Sequence, residues 1–389
     1  MIIEGRYNNA VVYTDVIEDT AIEQLRGLCD LEWSKGLSIK IMPDVHAGSG
    51  CTIGTTMTLR DRVCPSMVGV DISCGVLVAK IEKTDIDFSK LDAVIRRYIP
   101  YGMNVHQKRT DFDLTGLKAS FDKDRALRSI GTLGGGNHFI EIDTDGDYDY
   151  VVIHSGSRHL GVEVCKYYQD KAYDEYVKGK KVKIDNIIKE LKAQGRENEI
   201  SSTLKSMNIE NIRKETLCID GEDFRDYIND MKIVNEYATQ NREAMLAVIV
   251  HNMSFNVIDT FCTRHNYIDV DNMILRKGAV SAQNGERLII PLNMRDGSLI
   301  CRGRGNMEWN YSAPHGAGRL LSRGDARRNV MMDEFIHSME GIYSTTVNNN
   351  TIDESPMAYK RKEDIIDNIK DTVEIEKVIT PLYNFKADK

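Results

Sequence analysis

Five side chains of metal-binding type stand in glycine-rich or β-rich surroundings along this sequence. They are one carboxylate, one thiol and three imidazoles: Asp71, Cys74, His138, His154 and His251. An acidic side chain among apolar residues is costly unless it is paired or bound to a metal. The mixed set is typical of a transition-metal centre, in which a thiolate can bridge two ions. The softness of Cys and His favours zinc, and the wide spacing favours a catalytic site over a structural one.

Two of these assignments have structural alternatives. Asp71 could instead form a turn, with Cys74 as a small core residue. His251 lies near the end of an amphipathic pattern, where a lone histidine is more often structural than a metal ligand. The metal hypothesis therefore requires a fold that brings residues far apart in sequence to one place.

His315 is a sixth candidate in a different setting. It stands in the segment 311–323, where glycines flank Ala317, and Arg319 and Arg323 follow. The pattern predicts a helix that starts here, and helix starts and arginines both favour anions such as phosphates. A neutral imidazole can attack phosphorus and form a phosphoramidate, which divides one difficult transfer into two easier ones. A Gly-rich loop that caps a structural helix is the alternative.

The elements that must position these residues alternate between strand and helix patterns. Runs rich in Val, Ile and Thr, bounded by Gly or Pro, predict strands at 38–42, 52–59, 66–70 and 75–81. Helices are predicted at 88–98 and 123–129. A three-glycine loop, 134–136, then leads into a strand past His138, and a buried strand, 148–153, runs into His154.

A helical excursion is predicted at approximately 161–250. Its first part, 161–215, is heavily charged and indicates a solvated face or an inserted helical hairpin. From 224 to 252, apolar residues recur at spacings of three and four, which predicts one long helix or a pair. Because no repeat or long linker interrupts the chain, we expect a single compact α+β domain over residues 1–389.

Composition excludes several classes of protein. The net charge is −8 over 389 residues, so no global basic field indicates non-specific nucleic-acid binding, although a local basic groove stays open. The GxxxxGK[ST] and GxGxxG nucleotide motifs are absent from the sequence. Eight cysteines without a CxxC pair, and no leader pattern in 1–13, predict reduced thiols and a cytoplasmic location. No apolar run reaches the roughly 20 residues that span a bilayer, so no membrane partner is expected.

Seven short motifs follow one another along the chain. They read PDVH (43–46), VGVDISCG (68–75), GGGNHFIE (134–141), HSGSR (154–158), HN (251–252), RKGA (276–279) and HGAGR (315–319). In this order they resemble the motif series of the RtcB family of RNA ligases. AYK (358–360) and FK (385–386) resemble the closing segments of that family, so the resemblance covers nearly the whole chain.

The resemblance implies an RtcB-like fold, with mixed β-sheets around a central metal site, and a defined activity. RtcB ligases join RNA ends bearing a 2′,3′-cyclic phosphate or a 3′-phosphate to 5′-hydroxyl ends, in tRNA splicing or RNA repair. They use GTP and two Mn²⁺ ions, which replaces the zinc hypothesis. By analogy, His315 would accept GMP, GMP would pass to the RNA 3′-phosphate, and the 5′-hydroxyl would displace it. An archease-like activator is a further implied partner.

The resemblance also implies a role for each matching residue. The five residues listed first match metal ligands, with Cys74 as the bridge. The positions that match guanine-nucleotide contacts are Asn137, Glu141, Asn252, Tyr359 and Lys386. The positions that match catalytic residues or contacts to phosphates and RNA ends are His315, Asp44, Arg158, Lys277, Arg319 and Arg323, and their charges suit that role.

Departures from the family pattern indicate a divergent branch, serving RNA repair rather than tRNA splicing. They are Ser49, Ser73, His159, Pro314 and the segment 293–297. Two other functions stay open. The first is a metal-dependent RNA phosphoesterase that opens 2′,3′-cyclic phosphates without ligation. The second is a non-catalytic RNA-binding protein that keeps a metal for stability.

Overall fold

The computed structural model describes residues 1–206 and 213–387 of the chain. Over these residues helices and mixed sheets combine in one domain, which confirms the predicted α+β class. The strands are β1 (Ile2–Glu4), β2 (Asn9–Val12), β3 (Ile39–His46), β4 (Ile53–Thr58), β5 (Arg62–Val63), β6 (Gly75–Glu82), β7 (Phe139–Thr144), β8 (Tyr148–Ser155), β9 (Ile219–Asp220), β10 (Val257–Arg264), β11 (Asn266–Asp269), β12 (Ile274–Lys277), β13 (Ala279–Ser281), β14 (Arg287–Asn293), β15 (Gly297–Gly303), β16 (Ser312–Pro314) and β17 (Val373–Lys386). The α-helices are α1 (Asp19–Cys29), α2 (Pro65–Val68), α3 (Phe88–Tyr98), α4 (Lys123–Ser129), α5 (Arg158–Ala193), α6 (Ile200–Ser206), α7 (Gly221–Met253), α8 (Arg323–Asn329), α9 (Met332–Ser338) and α10 (Lys362–Ile366).

Two large sheets carry most of the strands. The first has the order β1-β2-β3-β4-β12-β11, and the second has the order β10-β6-β8-β7-β17-β15-β14. The second sheet is covered on both faces. On one face, Leu77 and Ile153 pack against α3 and α7. On the other face, Val76 and Val152 pack against Ile289 of β14, which is the last strand of the same sheet. Burial on both faces explains why these strands read as nearly continuous apolar runs.

Local signals place several elements where the sequence predicts them. The helices predicted at 88–98 and 123–129 have these bounds, because Asp87 and Asp122 cap their first turns through hydrogen bonds to the backbone N–H of Lys90 and Arg125. The strand predicted at 66–70 is wrong. Residues 66–68 belong to α2, since a proline at the first helical position favours a helix start, and Gly69 and Val70 follow the helix.

The long excursion is built from α5, α6 and α7. The apolar pattern of 224–252 forms one helix, not a pair, and it buries Tyr227, Met231, Val234 and Met245 along one stripe. Residues 207–212 of the predicted helical region lie outside the described residues. Among the helices that are described, none combines the length and the apolarity needed to cross a membrane.

The register of the second sheet decides which residues meet. β6 pairs antiparallel with β8, so that Gly75 faces Ser155, and β7 pairs with β8, so that Phe139 faces His154. On the other side of β6, Arg264 of β10 faces Gly75. The segments just outside these strand ends therefore lie side by side at one edge of the sheet.

Candidate active site

Four of the predicted metal ligands converge at that edge. The Nε2 atom of His138 lies 3.0 Å from Asp71 Oδ2 and 3.3 Å from Cys74 Sγ. Cys74 Sγ is also 3.2 Å from His154 Nε2, which lies 3.4 Å from Nε2 of a further histidine, His265. Among the described residues the ligand atoms form two triads, Asp71/Cys74/His138 and Cys74/His154/His265. The two triads share the Cys74 sulphur, which suits a thiolate that bridges two ions.

The hydrogen bonds around the imidazoles fit metal binding. The Nδ1–H of His138 donates to the carbonyl of Leu133 at 2.9 Å, and that of His154 donates to the carbonyl of Asn137 at 3.2 Å. Both rings therefore direct Nε2 into the cluster, and a backbone carbonyl that holds Nδ1 is the usual partner of a metal-binding histidine. The Nε2 of His138 also shares a hydrogen bond with Asp71. Burial lowers the pKa of His154 and His265 well below the usual value, so both rings are neutral and able to act as metal ligands.

The two other ligands differ in their protonation. Burial would raise the pKa of Asp71, but His138 and Arg158 hold it well below its usual value, so the carboxylate is charged. Burial, together with Asp71, raises the pKa of the Cys74 thiol well above its usual value. A bound cation is what favours the thiolate here, since metal coordination deprotonates a thiol. The donor set thus fits one or two divalent metal ions.

His315 lies beside this cluster. Its Nδ1–H donates to Asp44 Oδ2 at 2.6 Å, and its backbone N–H donates to the same oxygen at 3.1 Å. Asp44 is fully buried, so it fixes both the tautomer and the orientation of the ring. The His315 ring centre is 4.7 Å from that of His265. Nε2 is therefore the ring nitrogen that Asp44 does not bind, and its position close to the metal cluster suits a nucleophile.

The helix predicted to start at His315 is wrong. The residue follows β16 and precedes a loop, and α8 begins only at Arg323, with Ser322 as its N-cap. Gly318 has φ +74°, and a Cβ there would lie 2.2 Å from the Asp44 carbonyl oxygen. Tertiary hydrogen bonds from Leu320 and Lys360 tie this loop to the 358–360 segment. These contacts override the local helix signal.

A cavity of about 830 Å³ opens next to His315. Its lining includes six residues predicted to contact the nucleotide, the phosphates or the RNA ends, namely Asn137, Glu141, Arg319, Arg323, Tyr359 and Lys386. His154 reaches the same cavity, so the space connects the metal cluster with the predicted nucleotide residues. Burial raises the pKa of Glu141 to about 7, against the opposing effects of Lys386 and Asn384.

The predicted residues Asn252, Lys277 and Arg158 lie outside this cavity. Asn252 donates to the carbonyl of Val248 within α7, at 2.8 Å. Lys277 is buried, and its ammonium donates to backbone carbonyls, among them that of Ser66 at 3.0 Å. Arg158 instead lies behind the metal cluster, where its Nη1 is 3.3 Å from His138 Nδ1.

Comparison with known proteins shows similarity over most of the chain. A family model described as tRNA-splicing ligase RtcB matches residues 24–123 and 115–387. The chain belongs to the RtcB family. RNA-splicing ligase RtcB of Escherichia coli (strain K12) is 29% identical over 381 residues, covering 87% of either chain. tRNA-splicing ligase RtcB of Aeropyrum pernix is 24% identical over 445 residues, covering 90% of this chain and 89% of the relative.

One position of this RtcB chain differs from the sequence prediction. The structure does not bring His251 to the cluster, because it lies exposed on the last turn of α7. His265 takes that place, since it directly follows β10, and its backbone N–H donates to the Cys74 carbonyl at 2.9 Å. The signal that could have found it is the one that marks His154, a histidine at the end of a β-rich run. Asn266 likewise lies at the site, with Nδ2 3.1 Å from the Asp71 carbonyl oxygen.

A second residue that sequence reasoning missed is Glu354. Its buried carboxylate accepts hydrogen bonds from Tyr359 (2.5 Å), Lys386 (2.8 Å) and Arg319 (3.2 Å), and it forms an ion pair with Arg323 (3.1 Å). Burial opposes ionisation, but the cations Lys386, Arg323 and Arg319 lower the pKa of Glu354 to about 2. One carboxylate thus orders four cavity residues of this RtcB chain. Its sequence signal is only an acidic residue shortly before the AYK motif.

Proposed function

We propose that this RtcB protein is an RNA ligase that uses GTP and Mn²⁺. It joins RNA 2′,3′-cyclic phosphate or 3′-phosphate ends to 5′-hydroxyl ends through a covalent histidine–GMP intermediate. The observation that carries the proposal is His315, whose Nδ1 is held by Asp44 and whose Nε2 is open beside a cavity and a metal-type cluster. Membership of the RtcB family supports the ligase over the phosphoesterase, because the relatives are named as splicing ligases.

The chain's own groups account for the first transfer. His315 Nε2 attacks the α-phosphorus of GTP, a P–N bond forms, and the bond to pyrophosphate breaks. Asp44 keeps the proton on Nδ1 and stabilises the positive charge that develops on the ring, as the acidic member of a catalytic triad does. A 2′,3′-cyclic phosphate is first opened by water, which breaks the P–O2′ bond and leaves a 3′-phosphate. The RNA 3′-phosphate then displaces His315 from GMP, and the 5′-hydroxyl, losing its proton, finally attacks the 3′-phosphorus and displaces GMP. Each step exchanges one bond at phosphorus for another.

The metal would be held by Asp71, Cys74, His138, His154 and His265. When bound, divalent ions neutralise phosphate oxygens during each displacement. We propose two Mn²⁺ ions, supported by family membership and by the two triads that share Cys74. Arg158, behind His138, adds a fixed positive charge next to this centre.

The cavity residues would bind the nucleotide and the RNA ends. Glu141 offers a carboxylate to the donor groups of guanine, and Asn137, Tyr359 and Lys386 lie on the same cavity wall. Arg319 and Arg323 carry guanidinium groups suited to phosphate. We propose Asn266 for this set instead of Asn252, because its Nδ2 donates to the carbonyl of the proposed metal ligand Asp71. Lys277 serves RNA binding only if its ammonium leaves the Ser66 carbonyl.

The test of this function is a joining reaction. A 5′-hydroxyl RNA and an RNA with a 3′-phosphate or a cyclic phosphate are incubated with purified protein, GTP and Mn²⁺, and the products are separated by electrophoresis. We expect a joined product that requires GTP and is lost with EDTA. Opening of the cyclic phosphate without joining, independent of GTP, would identify the phosphoesterase instead.

The pH dependence of GTP use is expected to reflect Glu141. Burial raises its pKa to about 7, so the carboxylate that accepts from guanine is the minor form below that pH and the major form above it. For this pKa the ionised fraction rises about tenfold between pH 6 and pH 8, and KM for GTP should fall by a similar factor. A Glu141→Gln variant removes the titration, so its KM should be higher and flat over this range. An equally steep profile in the variant would assign the titration to another group.

The proposal also includes a cellular location, a cellular role and a protein partner. All eight cysteines are free thiols, which is typical of a reducing compartment such as the cytoplasm. RNA repair as the cellular role, and an archease-like activator as a partner, stay predictions. A stimulation of the joining reaction by archease would test the second.

A further inference from the structure

Two neighbouring polar residues on α7 lie behind the metal cluster. Asn241 and Arg242 are each 0% exposed, and neither belongs to the motifs or to the cavity already described. A buried amide or guanidinium is costly unless its hydrogen bonds are made. The partners of these two side chains therefore indicate what the positions are for.

Asn241 makes every hydrogen bond that its side chain can make. Its Oδ1 accepts from the backbone N–H of Gly131 at 2.8 Å and of Thr132 at 3.0 Å. Its Nδ2 donates to Ser155 Oγ and to the Gly156 carbonyl, both at 3.1 Å. An amide has two donor hydrogens and two acceptor lone pairs, so the group is saturated. It joins the loop before β7 to the segment that follows β8.

These bonds continue to a proposed metal ligand. Ser155 Oγ donates to the Leu133 carbonyl at 2.8 Å. The same carbonyl accepts the Nδ1–H of His138 at 2.9 Å and so fixes the ring that directs Nε2 into the cluster. A chain of hydrogen bonds thus runs from Asn241 through Ser155 and Leu133 to His138.

Arg242 connects the two other ligand segments. Its Nη1 donates to the carbonyl of Ser73 at 3.0 Å and to that of Ser155 at 2.8 Å. Ser73 precedes Cys74 and holds a left-handed conformation, φ 58°, that a residue other than glycine rarely adopts without support. Ser155 follows His154. One guanidinium nitrogen therefore links the backbone carbonyls of the residues adjacent to Cys74 and His154.

We propose that Asn241 and Arg242 are positioning residues that assemble the metal centre from one turn of α7. Together they fix the three backbone segments that carry Cys74, His138 and His154, while contacting none of the reacting groups. The inference rests on the proposed metal centre. Outer-shell hydrogen bonds of this kind change metal affinity by roughly 10–100-fold, because they hold ligands in the geometry that the ion requires.

The test is Co²⁺ binding by the whole chain, read from the thiolate-to-cobalt band and the visible d–d bands. Asn241→Asp keeps an acceptor for Gly131 and Thr132 but replaces the amide donor by an oxygen. Arg242→Lys keeps a charge, whereas Arg242→Met removes it. We expect Asn241→Asp to weaken Co²⁺ binding roughly 10–100-fold and to change the d–d bands. Arg242→Lys should retain more affinity than Arg242→Met.

Asn235→Asp is the matched control, because Asn235 is a buried asparagine on the same helix whose Oδ1 has no partner among the described residues. It should bind Co²⁺ like the wild type. Thermal unfolding of each metal-free variant measures general destabilisation separately from metal affinity. Wild-type Co²⁺ affinity and spectra in both Asn241→Asp and Arg242→Met would overturn the positioning role and leave the metal centre standing. A wild-type protein without a thiolate-to-cobalt band would overturn both proposals.

Discussion

Replacing His315 by Ala is expected to abolish transfer of GMP to the protein. The Nδ1–H of this ring is bound to Asp44 at 2.6 Å, so Nε2 is the nitrogen free to attack phosphorus. The two other histidines that line the cavity in the described part of the chain are His154, whose Nε2 lies 3.2 Å from Cys74 Sγ, and His46, whose Nδ1 lies 2.9 Å from the Asp44 carbonyl oxygen. Wild type incubated with α-³²P-labelled GTP and Mn²⁺ should acquire an acid-labile label on denaturing electrophoresis. The His315→Ala protein should show only background.

Asp44→Asn tests the same site with a smaller change. The amide can still accept from His315, but it cannot balance the positive charge on the ring, and labelling should slow by roughly 10²–10⁴-fold. His337→Ala is the control, because that histidine is exposed on α9 and should not affect labelling. Wild-type labelling of His315→Ala would assign the nucleophile elsewhere and end this mechanism.

The sequence predicted most reliably where one local cause decides the structure. α3 and α4 have their predicted bounds because Asp87 and Asp122 cap them. The glycine-flanked motifs also located Asp71, Cys74 and His138, since glycines mark the turns at which strand ends present polar groups. In such places the residue and its neighbours contain most of the information.

Predictions were wrong where contacts between residues far apart in sequence decide the local structure. The 315–322 loop has the composition of a helix start, but its backbone bonds to 358–360 and its close approach to Asp44 prevent one. Glu354 belongs to no motif, and its importance arises only when three separate segments of the chain, 319–323, 354–359 and the end of β17, meet around its carboxylate. Neither arrangement can be inferred from spacing along the chain.

The choice between His251 and His265 depends on both a local sequence signal and a long-range contact. Each histidine is followed by asparagine, so the HN dipeptide alone cannot distinguish them. The pairing of β10 with β6 does, because it carries position 265 next to Cys74. Sheet register is a long-range property, and a single sequence does not state it.

Replacing His265 by Ala is therefore expected to remove a metal ligand, whereas replacing His251 by Ala is expected to change nothing at the site. His265 Nε2 lies 3.4 Å from His154 Nε2 and shares the second triad with Cys74. Loss of a direct ligand should cost more than the roughly 10–100-fold that outer-shell changes cost. Titration with Mn²⁺ and Co²⁺ should show one tight ion lost in His265→Ala and wild-type binding in His251→Ala.

The two variants control each other, since both remove one imidazole from the same chain. If His251→Ala loses the metal and His265→Ala keeps it, the β10–β6 register is wrong and α7 must approach the cluster differently. If the wild type and both variants bind a single ion with the same affinity, the centre is confined to the Asp71/Cys74/His138 triad. That outcome would exclude the second ion. Arg158 and the cavity arginines would then have to neutralise the phosphate charge that we assign to the second ion.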